Sequence, residues 1–199
     1  YNIWREFAKR YGKNDDMLVF ELLNEVTKKE YCDTWNDISY KCIEKIRKYA
    51  PDIKILVGGY YNNSVEAVKD IAMPYDENIV YNFHCYEPLI FTHQGAPWIP
   101  TMDTSYRISV KAPYKEMDEG SRNNIEQVTT GFAGYSEDAV LDEQYFEDIF
   151  AEAIEVAKQR GVALYCGEYG VIDRASPKET LGWYSIIGNV FNKFDIGRA

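Results

Sequence analysis

The sequence predicts an α/β fold, in particular a partial (β/α)8 barrel of the TIM type. Three observations predict it: four short apolar runs have the length of buried strands, helical segments separate them, and polar residues follow each run. Strands that are apolar throughout indicate a parallel sheet covered by helices on both faces. The alternation alone leaves an open sheet as the alternative. Four strands are half of what a closed barrel of this type contains.

The predicted strands are the apolar runs at residues 17–23, 54–59, 79–84 and 162–168. A first helix is expected over residues 2–11, because apolar side chains recur there at helical spacing: Ile3, Trp4, Phe7, Ala8 and Tyr11. Asp33 or Thr34 can cap a second helix that ends before Pro51. Its predicted inner stripe consists of Trp35, Ile38, Cys42, Ile46 and Tyr49.

Three further helices are predicted. Ser64 can cap a short one that runs to about Ala72. A longer helix is expected from Asp142 to about Arg160, with Tyr145, Ile149, Ala153 and Val156 facing inward, and another from Pro177 to about Phe191. Residues 87–141 hold several prolines and glycines without a sustained period, and long loops of this kind are usually functional.

Composition limits the class of ligand. The chain has 199 residues, 46% of them hydrophobic, enough for a globular core that is one domain or part of a larger one. A formal net charge of −10 disfavours nucleic acid and anionic membranes as partners and favours a neutral ligand. The 17 tyrosines and 4 tryptophans pack against sugar faces as readily as they fill cores. No apolar run spans a bilayer, and no signal segment is visible.

The four cysteines are Cys32, Cys42, Cys85 and Cys166. None forms a Cys-x-x-Cys motif and no pair of histidines stands at ligand spacing, so neither a zinc site nor any other metal or cofactor is expected. Cys85 and Cys166 lie in apolar runs and are expected to be buried. A disulfide between Cys32 and Cys42 stays open.

Polar residues concentrate at the carboxyl ends of the predicted strands: Asn24 with Glu25, Asn62 with Asn63, His84 with Tyr86, and Glu168. In a β/α barrel these ends share one mouth, which carries the active site. Glu25 and Glu168 are distant in sequence, but the winding can bring them face to face. Two carboxyl groups roughly 5 to 5.5 Å apart suit retaining glycoside hydrolysis.

The motifs "FELLNE", "HCYEP" and "CGEYG", in this order and with "LVGG" between them, resemble glycoside hydrolase family 5, the cellulase-type retaining β-glycanases. The resemblance covers nearly the whole chain. It implies one partial catalytic domain over residues 1–199, made of strands four to seven of the barrel, with residues 87–141 as a loop on the substrate side. The first three strands and the last have no match here, nor do the family's early Arg and His and its Trp after strand eight.

The resemblance also implies roles for individual residues. Glu25 is expected to act as the acid/base, with Asn24 holding the sugar 2-hydroxyl, and Glu168 is expected to be the nucleophile. His84 would support the acid/base, and the Tyr86 hydroxyl would hydrogen-bond the nucleophile. Asn62 and Asn63 are expected to be simple turn residues, with a weak sugar contact as the alternative.

The segment "EPLIFTHQGAPWIP" resembles a stretch that lines substrate subsites in some members of the family. His93, Gln94 and Trp98 are therefore candidate contacts to substrate. Trp98 can stack on a pyranose ring, but it can equally hold the loop against the body of the domain. Acidic residues at 137–143 are expected to be solvated charge at a helix start rather than a metal site.

The expected function is hydrolysis of β-1,4-glycosidic bonds in a β-linked polysaccharide or oligosaccharide, with an endo-β-1,4-glucanase as the default. The alternative is an inactive carbohydrate-binding or structural barrel fragment. Half a barrel exposes two sheet edges, which leaves three alternatives: the chain is part of a longer catalytic domain, it forms a homo-oligomer that completes the half barrel, or it is an inactive remnant. The family resemblance further implies an extracellular or cell-surface location.

Overall fold

Five strands form one sheet in the computed structural model, which describes residues 1–125 and 131–199. The sheet order is sequential, β1-β2-β3-β4-β5. Its strands are β1 (Val19–Glu21), β2 (Lys54–Gly58), β3 (Ile79–Cys85), β4 (Ala163–Tyr169) and β5 (Gly197–Arg198). Parallel register joins β1 to β2, β2 to β3, and β4 to β5. The helices between the strands make this the α/β arrangement that the sequence predicts.

The helical elements are α1 (Asn2–Tyr11), α2 (Cys32–Arg47), the single turns α3 (Tyr60–Asn63) and α4 (Leu89–Thr92), α5 (Tyr114–Asn124), α6 (Glu143–Arg160) and α7 (Pro177–Lys193). Two 3-10 turns cover Lys29–Tyr31 and Val65–Asp70. Ser176 caps α7 by accepting a hydrogen bond from the backbone N–H of Glu179, and Pro177 occupies the first turn as predicted.

The described residues fall into two compact units. Unit 1 comprises Tyr1–His84, Phe150–Gly167 and Asp195–Ala199; unit 2 comprises Cys85–Ile149 and Glu168–Phe194. The core of unit 1 lies between the sheet and α2, where the buried side chains include Trp35, Ile43, Ile46, Ile55, Val57, Tyr81 and Phe83. The Trp35 indole Nε1 donates a hydrogen bond of 2.8 Å to the Gly58 carbonyl and so ties α2 to the end of β2.

The core of unit 2 is aromatic. Tyr145, Phe146, Trp183 and Phe191 are fully buried. The Tyr169 ring stacks on Trp183 with 6.3 Å between centroids, and the Trp183 Nε1 donates a 3.0 Å hydrogen bond to the Glu87 carbonyl. Within unit 2, the packed Trp183 thus fixes the backbone at Glu87, two residues after the end of β3.

The predicted helices over residues 2–11, 142–160 and 177–191 are confirmed, but two predicted helix caps are wrong. On α1, Ala8 is buried and Ile3 is 71% exposed, while Trp4 is half-buried with its ring centroid 5.3 Å from that of the buried Phe20. Neither Asp33 nor Thr34 caps α2, which begins at Cys32 after a 3-10 turn. Ser64 precedes a 3-10 turn instead of an α-helix, and its hydroxyl makes no capping bond.

The loop over residues 87–141 contains the helix α5, which the sequence analysis missed. The buried positions of α5 have helical spacing: Tyr114, Met117, Gly120, Ser121 and Asn124. Only two of those five side chains are large and apolar, so no hydrophobic period marks the helix. Residues 126–130 of the predicted loop lie outside the described residues.

The sequence predicted four strands, but the sheet has a fifth, the short strand β5. Gly197 and Arg198 pair with Tyr165 and Cys166 of β4, and the Ala199 N–H donates to the Cys166 carbonyl. A two-residue strand that contains glycine and arginine has neither the apolar run nor the alternation by which strands are recognised.

The Cys32–Cys42 disulfide is not formed: both cysteines lie in the described part of the chain as thiols. Both residues lie on α2, ten positions apart, which puts them ~15 Å from each other and outside disulfide reach. Cys85 and Cys166 are buried, as predicted. Among the described residues, no helix combines the length and the apolar character needed to cross a bilayer.

Candidate active site

Glu25 lies in an irregular segment beyond β1 and not on the strand itself. The predicted strand reached Leu23, but the ladder ends at Glu21. Beyond it, the segment is held by the residues that follow β2. The Asn62 N–H donates to the Val26 carbonyl over 2.9 Å, and the Asn63 side-chain amide donates to the Asn24 carbonyl. These bonds replace the missing ladder and fix the backbone on both sides of Glu25.

Two side-chain nitrogens contact the Glu25 carboxylate. His84 Nδ1 lies 2.9 Å from Oε1, and Asn62 Nδ2 donates to Oε2 over 2.9 Å. The Glu25 side chain is 26% exposed and the His84 side chain 3% exposed, so a buried ring supports a carboxylate that solvent reaches. The structure thus brings together three predicted site residues: Asn24, Glu25 and His84.

The turn α3 has a left-handed backbone: φ is 48° at Tyr61, 58° at Asn62 and 57° at Asn63. Asparagine tolerates this region better than most residues, because its short polar side chain can bond locally. The turn lies over Gly58, where an added Cβ would sit 2.3 Å from Asn63 Oδ1. The role of Asn62 and Asn63 at Glu25 and His84 is what the sequence analysis missed; the only available signal was a polar pair at a strand end.

In unit 2, Glu168 lies on β4 and Tyr86 follows β3 directly. The Tyr86 hydroxyl donates a 2.8 Å hydrogen bond to Glu168 Oε2, which is the contact the resemblance implied. A phenol hydroxyl at this distance holds the carboxylate in one orientation. Glu25 and Glu168 belong to different units, and the face-to-face arrangement of the two carboxylates stays a prediction.

His93 and Trp98 continue from Tyr86 within unit 2. The His93 ring meets the Tyr86 ring edge-on at 5.2 Å between centroids and the Trp98 ring edge-on at 6.1 Å. The Thr92 hydroxyl donates to the Tyr86 carbonyl and lies 3.0 Å from His93 Nδ1, so Nδ1 must be the donor in that contact. Burial lowers the pKa of His93. Trp98 is 62% exposed, which leaves its ring accessible for stacking.

Gln94 is placed differently from its neighbours. It is 2% exposed; its Nε2 donates to the Phe91 carbonyl over 2.9 Å, and its Oε1 accepts from the Ile108 N–H over 3.1 Å. Both polar ends of this side chain therefore hold the loop backbone. A contact between Gln94 and substrate stays a prediction that these bonds do not favour.

Asn82 is a further polar residue that the sequence analysis did not select. On β3 it is 1% exposed; its Nδ2 donates to Glu21 Oε1 over 2.8 Å and its Oδ1 accepts from the Gly167 N–H over 3.0 Å. The amide thus links β1 to β4 at the residue before Glu168. An added Cβ on Gly167 would lie 2.5 Å from Asn82 Oδ1. A glycine at this position therefore leaves the space that the Asn82 amide occupies.

A family model described as cellulase (glycosyl hydrolase family 5) matches residues 1–193. The chain belongs to glycoside hydrolase family 5. Cellodextrinase A of Ruminococcus flavefaciens is 43% identical over all of this chain and 51% of its own length. Endoglucanase C of Acetivibrio thermocellus is 34% identical over all of this chain and 57% of its length. The chain therefore spans about half the length of these family 5 relatives.

Solved structures confirm the fold class. Cellulose synthase subunit Z of Clostridioides difficile matches with a TM-score of 0.76 at 27% identity, over 99% of this chain and 57% of that protein. A hyperthermophilic endo-β-1,4-glucanase solved with substrate also has a TM-score of 0.76, at 25% identity, over 99% of this chain and 55% of the other. Five parallel strands with intervening helices are thus a partial family 5 barrel.

Proposed function

We propose that this chain carries the catalytic carboxylates of a retaining β-glycan hydrolase, with β-1,4-glucan as substrate. The observation that carries the proposal is that side-chain donors contact each of the two glutamates singled out by family 5 motifs. The Glu25 carboxylate is contacted by the Asn62 amide and the His84 imidazole, and the Glu168 carboxylate accepts a hydrogen bond from the Tyr86 phenol. The names of the relatives, a cellodextrinase and an endoglucanase, support glucan as the polymer.

In the proposed reaction, a Glu168 carboxylate oxygen attacks the anomeric carbon while the bond to the leaving sugar oxygen breaks. Glu25 gives its proton to that oxygen. Glu25 then takes a proton from water, whose oxygen displaces Glu168 and regenerates both groups. Asn24 is proposed to bind the 2-hydroxyl of the sugar under attack. Two inversions at one carbon give net retention of the anomeric configuration.

The loop after β3 is proposed to bind the neighbouring sugars. The exposed Trp98 ring offers a face to a pyranose, and His93 Nε2 is left as an acceptor for a sugar hydroxyl when Nδ1 donates to Thr92. We propose that the polymer is degraded outside the cell or at its surface, because a polysaccharide does not cross a bilayer.

A second candidate function is glycan binding without hydrolysis. In this case the chain would need another segment, or a second copy of itself, packed against its exposed apolar surface before it could turn over substrate. The apolar side chains along α1 and around β1 favour it: Met17 is 81% exposed, Ile3 71% and Val19 49%. Burying such a surface in a homo-oligomer would complete the half barrel. Sedimentation as a monomer at all concentrations would remove this self-completion.

The purified chain tests the proposal when it is incubated with soluble β-1,4-glucan, mannan, xylan and xyloglucan and the released reducing ends are measured. We expect release from glucan, loss of release in Glu168→Gln, and an unchanged rate in the control Glu66→Gln at an exposed position. Proton NMR of the first product should show the β-anomer. An α-anomer would contradict the retaining mechanism, and binding of glucan without release would support the second candidate.

A further inference from the structure

The side chain of Asn63 is buried and 1% exposed, although its sequence position suggested an ordinary turn residue. Its Nδ2 donates to the Asn24 carbonyl and lies 3.3 Å from His84 Nε2. One amide nitrogen thus uses its two hydrogens on two different elements, the segment that carries Glu25 and the strand that carries His84.

The orientation of this amide is fixed by its partners. A carbonyl oxygen can only accept, so the atom facing Asn24 must be the Asn63 nitrogen and not its oxygen. The reversed amide would place two oxygens in contact. Because the nitrogen has no lone pair to offer, His84 Nε2 must accept its hydrogen, and the ring proton must be on Nδ1.

We propose that Asn63 is a positioning residue that fixes the tautomer of His84 and thereby the donor that reaches Glu25. With the proton on Nδ1, the ring donates to Glu25 Oε1 over 2.9 Å, while Asn62 donates to Oε2. A proton on Nε2 would face the Asn63 N–H, so the amide favours the tautomer that donates from Nδ1. The proposal rests on the proposed function only in treating Glu25 as the acid/base.

A donor of fixed position suits an acid/base. With the proton on Nδ1, the His84 ring donates to one oxygen of Glu25 and holds the carboxylate in one orientation. The backbone is shaped for this contact, since Gly58 leaves the space that the Asn63 amide fills and the left-handed φ of Asn63 directs it. In general, the hydrogen-bond partner of one histidine ring nitrogen determines whether the other nitrogen carries the proton.

The chain has two histidines, His84 and His93, which makes the tautomer directly measurable. Long-range ¹H–¹⁵N spectra of the ¹⁵N-histidine-labelled chain give the protonation of each ring nitrogen, and His93→Gln assigns the two rings. We expect His84 to show a protonated Nδ1 and an unprotonated Nε2. In Asn63→Asp the carboxylate should draw a proton onto Nε2, and in Asn63→Leu the preference for Nδ1 should be lost.

Kinetics on soluble β-1,4-glucan form the second arm. Asn63→Leu and Asn63→Asp should lower kcat by about 10- to 100-fold with little change in KM, because a misplaced catalytic group costs rate more than binding. Asn123→Leu and Asn123→Asp are the matched controls at an exposed position on α5 and should leave the rate unchanged. Backbone ¹H–¹⁵N spectra identify any variant that fails to fold, and Asn63→Asp keeps the size of the side chain.

Two results would overturn the proposal: a His84 ring protonated on Nε2 in the unmodified chain, or an unaltered tautomer in both folded Asn63 variants. An unchanged kcat in variants whose tautomer has shifted would overturn the positioning role. If the unmodified chain hydrolyses no glucan, the proposed function fails, but the tautomer spectra still decide what Asn63 does to His84.

Discussion

The two glutamates have different hydrogen-bond donors. Glu25, in unit 1, is contacted by an asparagine amide and a histidine ring that depend on a left-handed turn after β2. Glu168, in unit 2, accepts from a tyrosine hydroxyl whose strand end is held by aromatic packing around Trp183. The difference teaches that each carboxylate is supported by different residue types, so the donors of one can be removed by mutation without removing those of the other.

The largest effects should come from removing each carboxylate in turn. On glucan, Glu25→Ala and Glu168→Ala should each lower kcat/KM by roughly 10² to 10⁴-fold or more, because general acid/base catalysis alone contributes about that much. On a dinitrophenyl β-glycoside, whose leaving group needs no proton, Glu25→Ala should still form the glycosyl-enzyme and release a burst of dinitrophenol. Glu168→Ala should release none.

Glu66→Ala, at an exposed position, is the control for both variants and should match the unmodified chain on both substrates. A burst from Glu168→Ala but not from Glu25→Ala would mean that the two roles are reversed. Equal losses on both substrates in both variants would show that the contrast between their donors has no catalytic meaning.

Tyr86→Phe tests the donor side of Glu168. The substitution removes the hydroxyl that bonds Oε2 and keeps the ring that packs on His93. A hydrogen bond to a charged group contributes about 1.5 to 3 kcal/mol, so kcat/KM on glucan should fall by about 10- to 100-fold. Tyr31→Phe, at an exposed tyrosine of unit 1, should leave it unchanged. A loss below about threefold would mean that the phenol does not support Glu168 in its proposed role as nucleophile.

Gly58→Ala tests how far the Glu25 surroundings depend on the turn. The new methyl would meet the Asn63 amide at 2.3 Å, and relieving that overlap should lower the free energy of unfolding by about 1 to 3 kcal/mol and displace Asn63 from His84. Gly188→Ala is the matched control, since it lies in α7 with open space around it and should stabilise the chain by about 0.5 to 1 kcal/mol. Urea unfolding of both variants measures the contrast. Similar stability changes of the same sign would contradict it.

Much of the fold could be predicted because apolar runs and helical periods mark their elements locally. The sequence could not show the features that depend on packing or pairing with other elements of the fold. The helix α5 presents Gly120, Ser121 and Asn124 to its buried side, so its period is hidden, and β5 is recognised by its pairing with β4 alone. On α1, the exposed Ile3 and the buried Ala8 belong to one stripe of helical spacing, because spacing does not show which positions a neighbouring element covers.

The same limit applies to the candidate site. The motifs pointed to Glu25, His84, Tyr86 and Glu168 because their residue types carry the chemistry. Asn63 was passed over because asparagine after a strand is an ordinary turn signal. The contact of Asn63 with His84 depends on the left-handed φ of Asn63, which directs its amide toward the ring. The residue type alone does not predict the backbone conformation at a single position.

The smallest expected effect compares the two histidines through pH. Burial lowers the pKa of His93 in the folded chain, whereas in the unfolded chain its pKa is about 6.5. The unfolded state therefore binds a proton that the folded state does not, and stability is lost as the pH falls through and below that value. Melting temperatures measured from pH 8 to pH 5.5 should fall less steeply in His93→Gln than in the unmodified chain. An equal slope would mean that His93 takes up its proton as readily in the folded chain, and that the loop does not exclude water from its ring.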